Sequence, residues 1–266
     1  MSPSSRSMSG SRTMPVPATA STELPLVECF SSLQGEGLHI GRRQVFLRLG
    51  GCNLNCGYCD TDFRICDTCR FETTPGSGRF KAVPNPVSVE TLCALLDQWL
   101  ALAPNLHHAL SLTGGEPLLH ADALNDWLPV LAERLPIHLE TNGTLYQCLP
   151  ALMPHLTFLS IDLKLEATTG SPTPWNEHRH FLQAARSRPA QVKIVVDTGQ
   201  DEEELVQGAT LVEELLPAAP LFLQPVTRDG GPDVSGEQLL AWQQLLSRHH
   251  PDTRVVPQIH PLLRID

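Results

Sequence analysis

Seven short apolar runs recur along the chain, separated by longer segments that mostly carry a helical period, and this alternation constrains the fold more than any other feature. The runs are QVFLRL (44–49), HALSLT (108–113), IHLET (137–141), TFLSIDLK (157–164), QVKIVV (191–196), LFLQPV (221–226) and RVVPQI (254–259). Their apolar and β-branched content suits strands. Ser88 is a suitable N-cap for a helix over VETLCALLDQWLALA, where Val89, Leu92, Leu95, Leu96 and Trp99 share one face. Further helices are expected near 123–134, 176–187, 201–215 and 235–249. Strands alternating with helices suggest βα units around a parallel sheet, so the expected fold class is α/β. The Gly- and Pro-rich segment 66–86 reads as a loop.

Polar residues interrupt these runs at or just after their C-terminal ends. They are Arg48, Thr113, Glu140 with Asn142, Asp162 with Lys164, Asp197, Gln224, and Gln258 with His260. In an α/β barrel such ends share one rim, where ligands bind. The plain alternative is that polar residues simply end strands.

A chain of 266 residues with 41% hydrophobic and 18% charged residues is long enough for a sizeable core. Residues 1–22, rich in Ser, Pro and Thr, read as a disordered tail without a secretory apolar core, and 23–266 as one domain. The formal net charge of -10 argues against a broad nucleic-acid surface. No apolar run is long enough to span a membrane. A reducing compartment, the cytoplasm, is therefore expected, and the eight cysteines are not read as a disulfide framework.

Three of those cysteines, Cys52, Cys56 and Cys59, form C-x3-C-x2-C within GCNLNCGYCDTDF. Soft thiolates select zinc, copper(I) or iron–sulfur clusters. Three thiolates on a [4Fe–4S] cluster leave one iron open for a small chelating ligand. Cys66 and Cys69 add a second C-x2-C pair, so Cys56, Cys59, Cys66 and Cys69 could instead hold structural zinc. Isolated Cys29, Cys93 and Cys148 read as small buried hydrophobes. His107, His108, His249 and His250 read as surface residues.

C-x3-C-x2-C, with Tyr58 before its last cysteine, resembles the motif of the radical S-adenosylmethionine enzymes, and TGGEP (113–117) resembles their GGEP segment. The resemblance implies an incomplete or modified (β/α) barrel of the radical S-adenosylmethionine type and a [4Fe–4S] cluster on Cys52, Cys56 and Cys59, whose open iron holds S-adenosylmethionine. Within that superfamily FSSLQGEGLHIGRRQVFLRLGGCNLNCGYCDTDF and QIHP resemble the 7-carboxy-7-deazaguanine synthase family, from about Glu28 to His260. This implies a lyase that contracts the ring of 6-carboxy-5,6,7,8-tetrahydropterin, giving 7-carboxy-7-deazaguanine and ammonia for queuosine or deazapurine biosynthesis. It also implies Mg²⁺, a homodimer, and a reducing partner such as flavodoxin or ferredoxin.

Carried over by residue, the resemblance places the pterin against Leu33, Gln34, Gly35, Glu36, Arg48, Thr113 and His260. It places S-adenosylmethionine against Tyr58, Gly115, Glu116, Glu140, Ser160, Asp162, Lys164 and Gln224. Arg48 would grip the substrate carboxylate, its alternative being a salt bridge. Thr61 would hold Mg²⁺, with Asp60 as the alternative ligand or a supporting partner. Lys164 could otherwise be an exposed strand-end lysine, Asn142 part of a plain NG turn, and His260 part of a free tail. Two departures stand out: DLK (162–164) where the family often has Ser-Pro-Lys, and the Cys66–Pro86 segment. The rival readings are a glycyl-radical-activating enzyme and a non-catalytic zinc-binding protein.

Overall fold

A computed structural model describes residues 23–59, 61–228 and 230–265, so the expected tail and Asp60 lie outside the described residues. Ten strands form one sheet: β1 (Leu26–Leu33), β2 (Arg43–Leu49), β3 (Thr68–Glu72), β4 (Phe80–Pro84), β5 (Ala109–Gly114), β6 (Ile137–Thr141), β7 (Leu156–Leu163), β8 (Ala190–Val196), β9 (Leu221–Pro225) and β10 (Thr253–Val255). Their order is β10-β9-β8-β7-β6-β5-β2-β1-β3-β4. From β2 through β5 to β10 neighbouring strands run parallel, whereas β1 pairs antiparallel with β2 and β4 with β3. The sheet ends in two edges and does not close, which makes it an incomplete barrel.

Side-chain alternation decides what each face does. Val45, Leu47 and Leu49 of β2, Leu110 and Leu112 of β5, Ile137 and Leu139 of β6, and Val192, Ile194 and Val196 of β8 are fully buried. They join one apolar cluster with helix residues Leu92, Leu96, Trp99, Leu124, Trp127 and Leu128. The intervening residues on these strands and on β7 are largely polar, including Gln44, Arg48, Ser111, His138, Glu140, Ser160, Asp162, Gln191 and Lys193. The helices that cover the apolar face are α1 (Val89–Leu102), α2 (Ala121–Ala132), α3 (Trp175–Ala185), α4 (Glu202–Leu215) and α5 (Gly236–Leu246). Ser88 caps α1 as expected, accepting from the Thr91 amide at 3.3 Å, and Asp201 and Ser235 cap α4 and α5.

Four expectations need correction. The segment 66–86 is not a plain loop, because Thr68–Glu72 and Phe80–Pro84 form an antiparallel hairpin. β1, absent from the seven runs, extends the sheet. The last run is strand only over Thr253–Val255; its remainder leaves the sheet. His107 and His250 are buried rather than superficial. Of the isolated cysteines, Cys29 and Cys93 are buried and Cys148 is partly exposed. Among the described residues no helix is long and apolar enough to cross a membrane.

His250 shows why burial is tolerated. Its Nδ1 lies 2.8 Å from Glu213 Oε2 and its Nε2 2.9 Å from the Ala219 carbonyl, joining α4 to the turn before β9. His250→Ala removes both bonds and leaves a void, so a loss of about 2–4 kcal/mol is expected in denaturant unfolding. An unchanged midpoint would contradict that bracing role.

Candidate active site

The C-terminal ends of the parallel strands open into a cleft of about 880 Å³. The expected pterin and S-adenosylmethionine contacts other than Glu116 line it, with Thr61 and all three motif cysteines, whereas Asp197 of the strand-end series does not. The cysteine loop leaves β2 through Gly51, which has φ +84°. It is pinned there by the TGGEP turn: the Glu116 amide donates to the Gly51 carbonyl at 2.9 Å and the Gly115 amide to the Leu49 carbonyl at 3.3 Å. A Cβ on Gly115 would collide with the Gly51 carbonyl oxygen, so only glycine permits this approach. On the other side Asn53 clasps the NG turn, accepting from Asn142 Nδ2 at 2.8 Å and donating to Thr144 Oγ1 at 2.9 Å.

Glu116 lies behind the cleft wall. Its carboxylate is wholly buried and accepts from the Leu118 amide, the Thr141 hydroxyl and the Asn142 amide at 2.8–3.0 Å. Burial pushes its carboxyl up to about 7 against those donors. It braces the floor of the site from behind.

Burial also raises the thiols of Cys52 and Cys56, while nearby Lys164 favours their thiolates. Cys59 is exposed. Among the described residues no three His, Cys, Asp or Glu side chains already converge as a metal-ligand group. Even so, three soft donors on one loop, facing one cleft beside a lysine, fit an iron–sulfur cluster that displaces their protons on binding. Cys66 and Cys69 do not fit with them. Cys66 is exposed, but Cys69 lies in the apolar core with its Sγ 3.7 Å from the Val83 carbonyl, and burial raises its thiol to about 11. A zinc site on Cys56, Cys59, Cys66 and Cys69 is therefore not formed.

The remaining walls carry two polar networks. In one, Lys164 donates to Asp162 at 2.7 Å and to the Tyr58 hydroxyl at 2.5 Å. Lys193 lies 3.5 Å from the same Asp162 oxygen and 2.5 Å from Glu36. Lys164 is thus a buried ion-pair partner, not an exposed strand end. In the other, Glu140 accepts from Gln34 at 2.8 Å, Ser111 at 2.6 Å and Thr113 at 3.1 Å. Arg48 makes the anticipated salt bridge and also lines the cleft. Its Nε pairs with Glu28 at 2.9 Å, while Nη1 approaches the Thr61 hydroxyl at 3.5 Å within the cleft. Sequence reading missed Lys193 and Glu28. The available signal for Lys193 was alternation, since it shares a strand face with Gln191.

Residues 47–207 match the family model described as the radical SAM superfamily. Over 237 residues the chain is 42% identical to the 7-carboxy-7-deazaguanine synthase of Geobacter sulfurreducens, a match covering 88% of this chain and 95% of that protein. The chain belongs to this family of radical SAM enzymes. The synthase of Archaeoglobus fulgidus is 32% identical over 245 residues, covering 90% and 98% of the two chains. The crystal structure of QueE from Escherichia coli shares the fold with a TM-score of 0.58 at 24% identity, covering 89% of this chain and 94% of that one. The family implies a [4Fe–4S] cluster, S-adenosylmethionine, a small-molecule substrate and a source of electrons.

Gly115→Ala tests the seam that seats the cysteine loop. This variant is expected to bind far less iron and sulfide on anaerobic reconstitution, while retaining its far-UV spectrum. Parental iron content would show that the TGGEP turn does not position the loop.

Proposed function

We propose that this enzyme converts 6-carboxy-5,6,7,8-tetrahydropterin into 7-carboxy-7-deazaguanine and ammonia, as its relatives' names suggest. The observation that carries this reading is the shared cleft: three thiols open beside a cation, Arg48, and a carboxylate, Glu140, set among amide and hydroxyl donors. Arg48 matches a substrate carboxylate, with Glu28 orienting its guanidinium from behind. Glu140 is an acceptor suited to the paired N–H groups of a pterin edge.

When bound, the cluster and S-adenosylmethionine supply a one-electron reductive cleavage that begins the radical reaction. Substrate and products differ only by the partition of one NH₃, so the ring contraction needs no net oxidant. The chain's own part is to bind, orient and exclude water. Tyr58, Lys164 and Asp162 form the wall beside the cysteine loop, while Gln258, His260, Pro261 and Ile265 of the C-terminal segment line the cleft and help exclude water. Asp162 and Lys164 here take the place of the more usual Ser-Pro-Lys, and their mutual ion pair offsets the added carboxylate.

Thr61, which lines the cleft, would hold Mg²⁺, and the ion would supply positive charge beside the substrate. Residues 23–266 act as one catalytic domain, in the cytoplasm, as a homodimer reduced by flavodoxin or ferredoxin, without nucleic-acid or membrane partners. The glycyl-radical-activating alternative requires room for a protein segment, and residues 258–265 occupy the cleft's side.

Reconstituted enzyme with S-adenosylmethionine, dithionite and the carboxy-pterin is expected to yield the deazaguanine and an equal amount of ammonia by mass spectrometry and an ammonia assay. S-adenosylmethionine cleavage without the deazaguanine would overturn the substrate assignment. Arg48→Ala should raise the pterin KM by about 10- to 100-fold while leaving S-adenosylmethionine affinity nearly unchanged. Equal losses for both ligands would make Arg48 a support of the fold.

A further inference from the structure

Glu36 belongs to the LQGEG turn after β1 and faces the cleft, yet its carboxylate is already engaged. Oε1 accepts from Gln224 of β9 at 2.8 Å and from Gln258 of the C-terminal segment at 2.9 Å, and Oε2 accepts from Lys193 of β8 at 2.5 Å. The same turn receives the C-terminal segment a second time, because the Ile259 amide donates to the Gly35 carbonyl at 3.1 Å. His260 then packs over Gly35, its Nδ1 2.6 Å from the place a Cβ would occupy. Substitution at Gly35 would push His260 out of the cleft.

Lys193 is the cation on which this join depends. An isolated carboxylate so deeply placed would be costly to keep ionised. Burial would raise the Glu36 carboxyl, but Lys193 and the two glutamines hold it down to about 2. With its second ion-pair contact, 3.5 Å to Asp162, Lys193 also links the turn to the Asp162–Lys164–Tyr58 wall beside the cysteine loop. The charges alternate Glu36, Lys193, Asp162, Lys164, so each ion faces a neighbour of opposite sign.

We infer that Lys193 is a positioning residue that holds Glu36 as the anchor of the C-terminal segment, fastening Gln258 and His260 over the substrate side of the cleft. Glu36 accordingly serves as a clasp between strand ends and not as a direct ligand of the pterin. The effect on substrate rests on the proposed reaction, but the fastening of residues 256–265 does not.

Hydrogen–deuterium exchange on the full-length, reconstituted protein without substrate reads the clasp directly. In Lys193→Met, amides of residues 256–265 are expected to exchange about tenfold faster, with β5 to β7 unchanged, and Lys193→Arg should restore protection. Unchanged exchange in that segment would overturn the inference. If Lys193→Met loosens β5 to β7 as well, Glu36→Leu decides: faster exchange confined to 256–265 supports the clasp, and parental exchange there refutes it. In turnover with the pterin, Lys193→Met should raise KM about tenfold with kcat changed much less, and Lys193→Arg should recover most of the loss. An equal fall in kcat without a KM change would count against positioning. Absence of turnover in the parent protein would refute the substrate assignment while leaving the exchange result to judge the clasp.

Discussion

The inner face of an incomplete barrel has no helix to cover it, and here the chain fills it with charge. Strand alternation sends aliphatic side chains toward the helices and sends Gln44, Arg48, His138, Glu140, Asp162, Gln191 and Lys193 the other way. Buried charges and amides are costly unless paired, so these side chains have to satisfy one another. The Glu36–Lys193–Asp162–Lys164 series and the fan of donors onto Glu140 are the result. A polar cleft with fixed donors and acceptors follows from that constraint, and so does its position at the strands' C-terminal ends.

A second constraint seats the thiols. The cysteine loop has no regular structure of its own, so its position comes from its neighbours. The Glu116 amide on the Gly51 carbonyl holds its start, Asn53 is clasped by the NG turn, and Tyr58 is held by Lys164. Each support comes from a different strand end. The site thus depends on the register of β2, β5, β6 and β7 being correct together.

Much of this is legible in the sequence. QVFLRL and QVKIVV appeared as strands because apolar residues dominate them, and the motif cysteines stood out because their spacing is local. The tertiary partners were hidden for the opposite reason. LVECFSSL did not read as a strand because its polar residues pair with distant groups, such as Ser31 with His107 and Glu28 with Arg48. TCRFE and FKAVP were masked by the Gly- and Pro-rich turn that joins them. Lys193 looked like an ordinary interruption of an apolar run, since its two carboxylate partners lie 157 and 31 positions away. The GGEP motif does not reveal that three local donors turn the Glu116 carboxylate inward.

The central claim is that Cys52, Cys56 and Cys59 leave one iron of a [4Fe–4S] cluster open to S-adenosylmethionine. Electron paramagnetic resonance of the reduced, anaerobically reconstituted protein, recorded before and after adding S-adenosylmethionine, tests it most directly. A [4Fe–4S]⁺ signal whose g-values change on addition is the expected result. A signal indifferent to S-adenosylmethionine, or a protein that assembles no cluster, would contradict it.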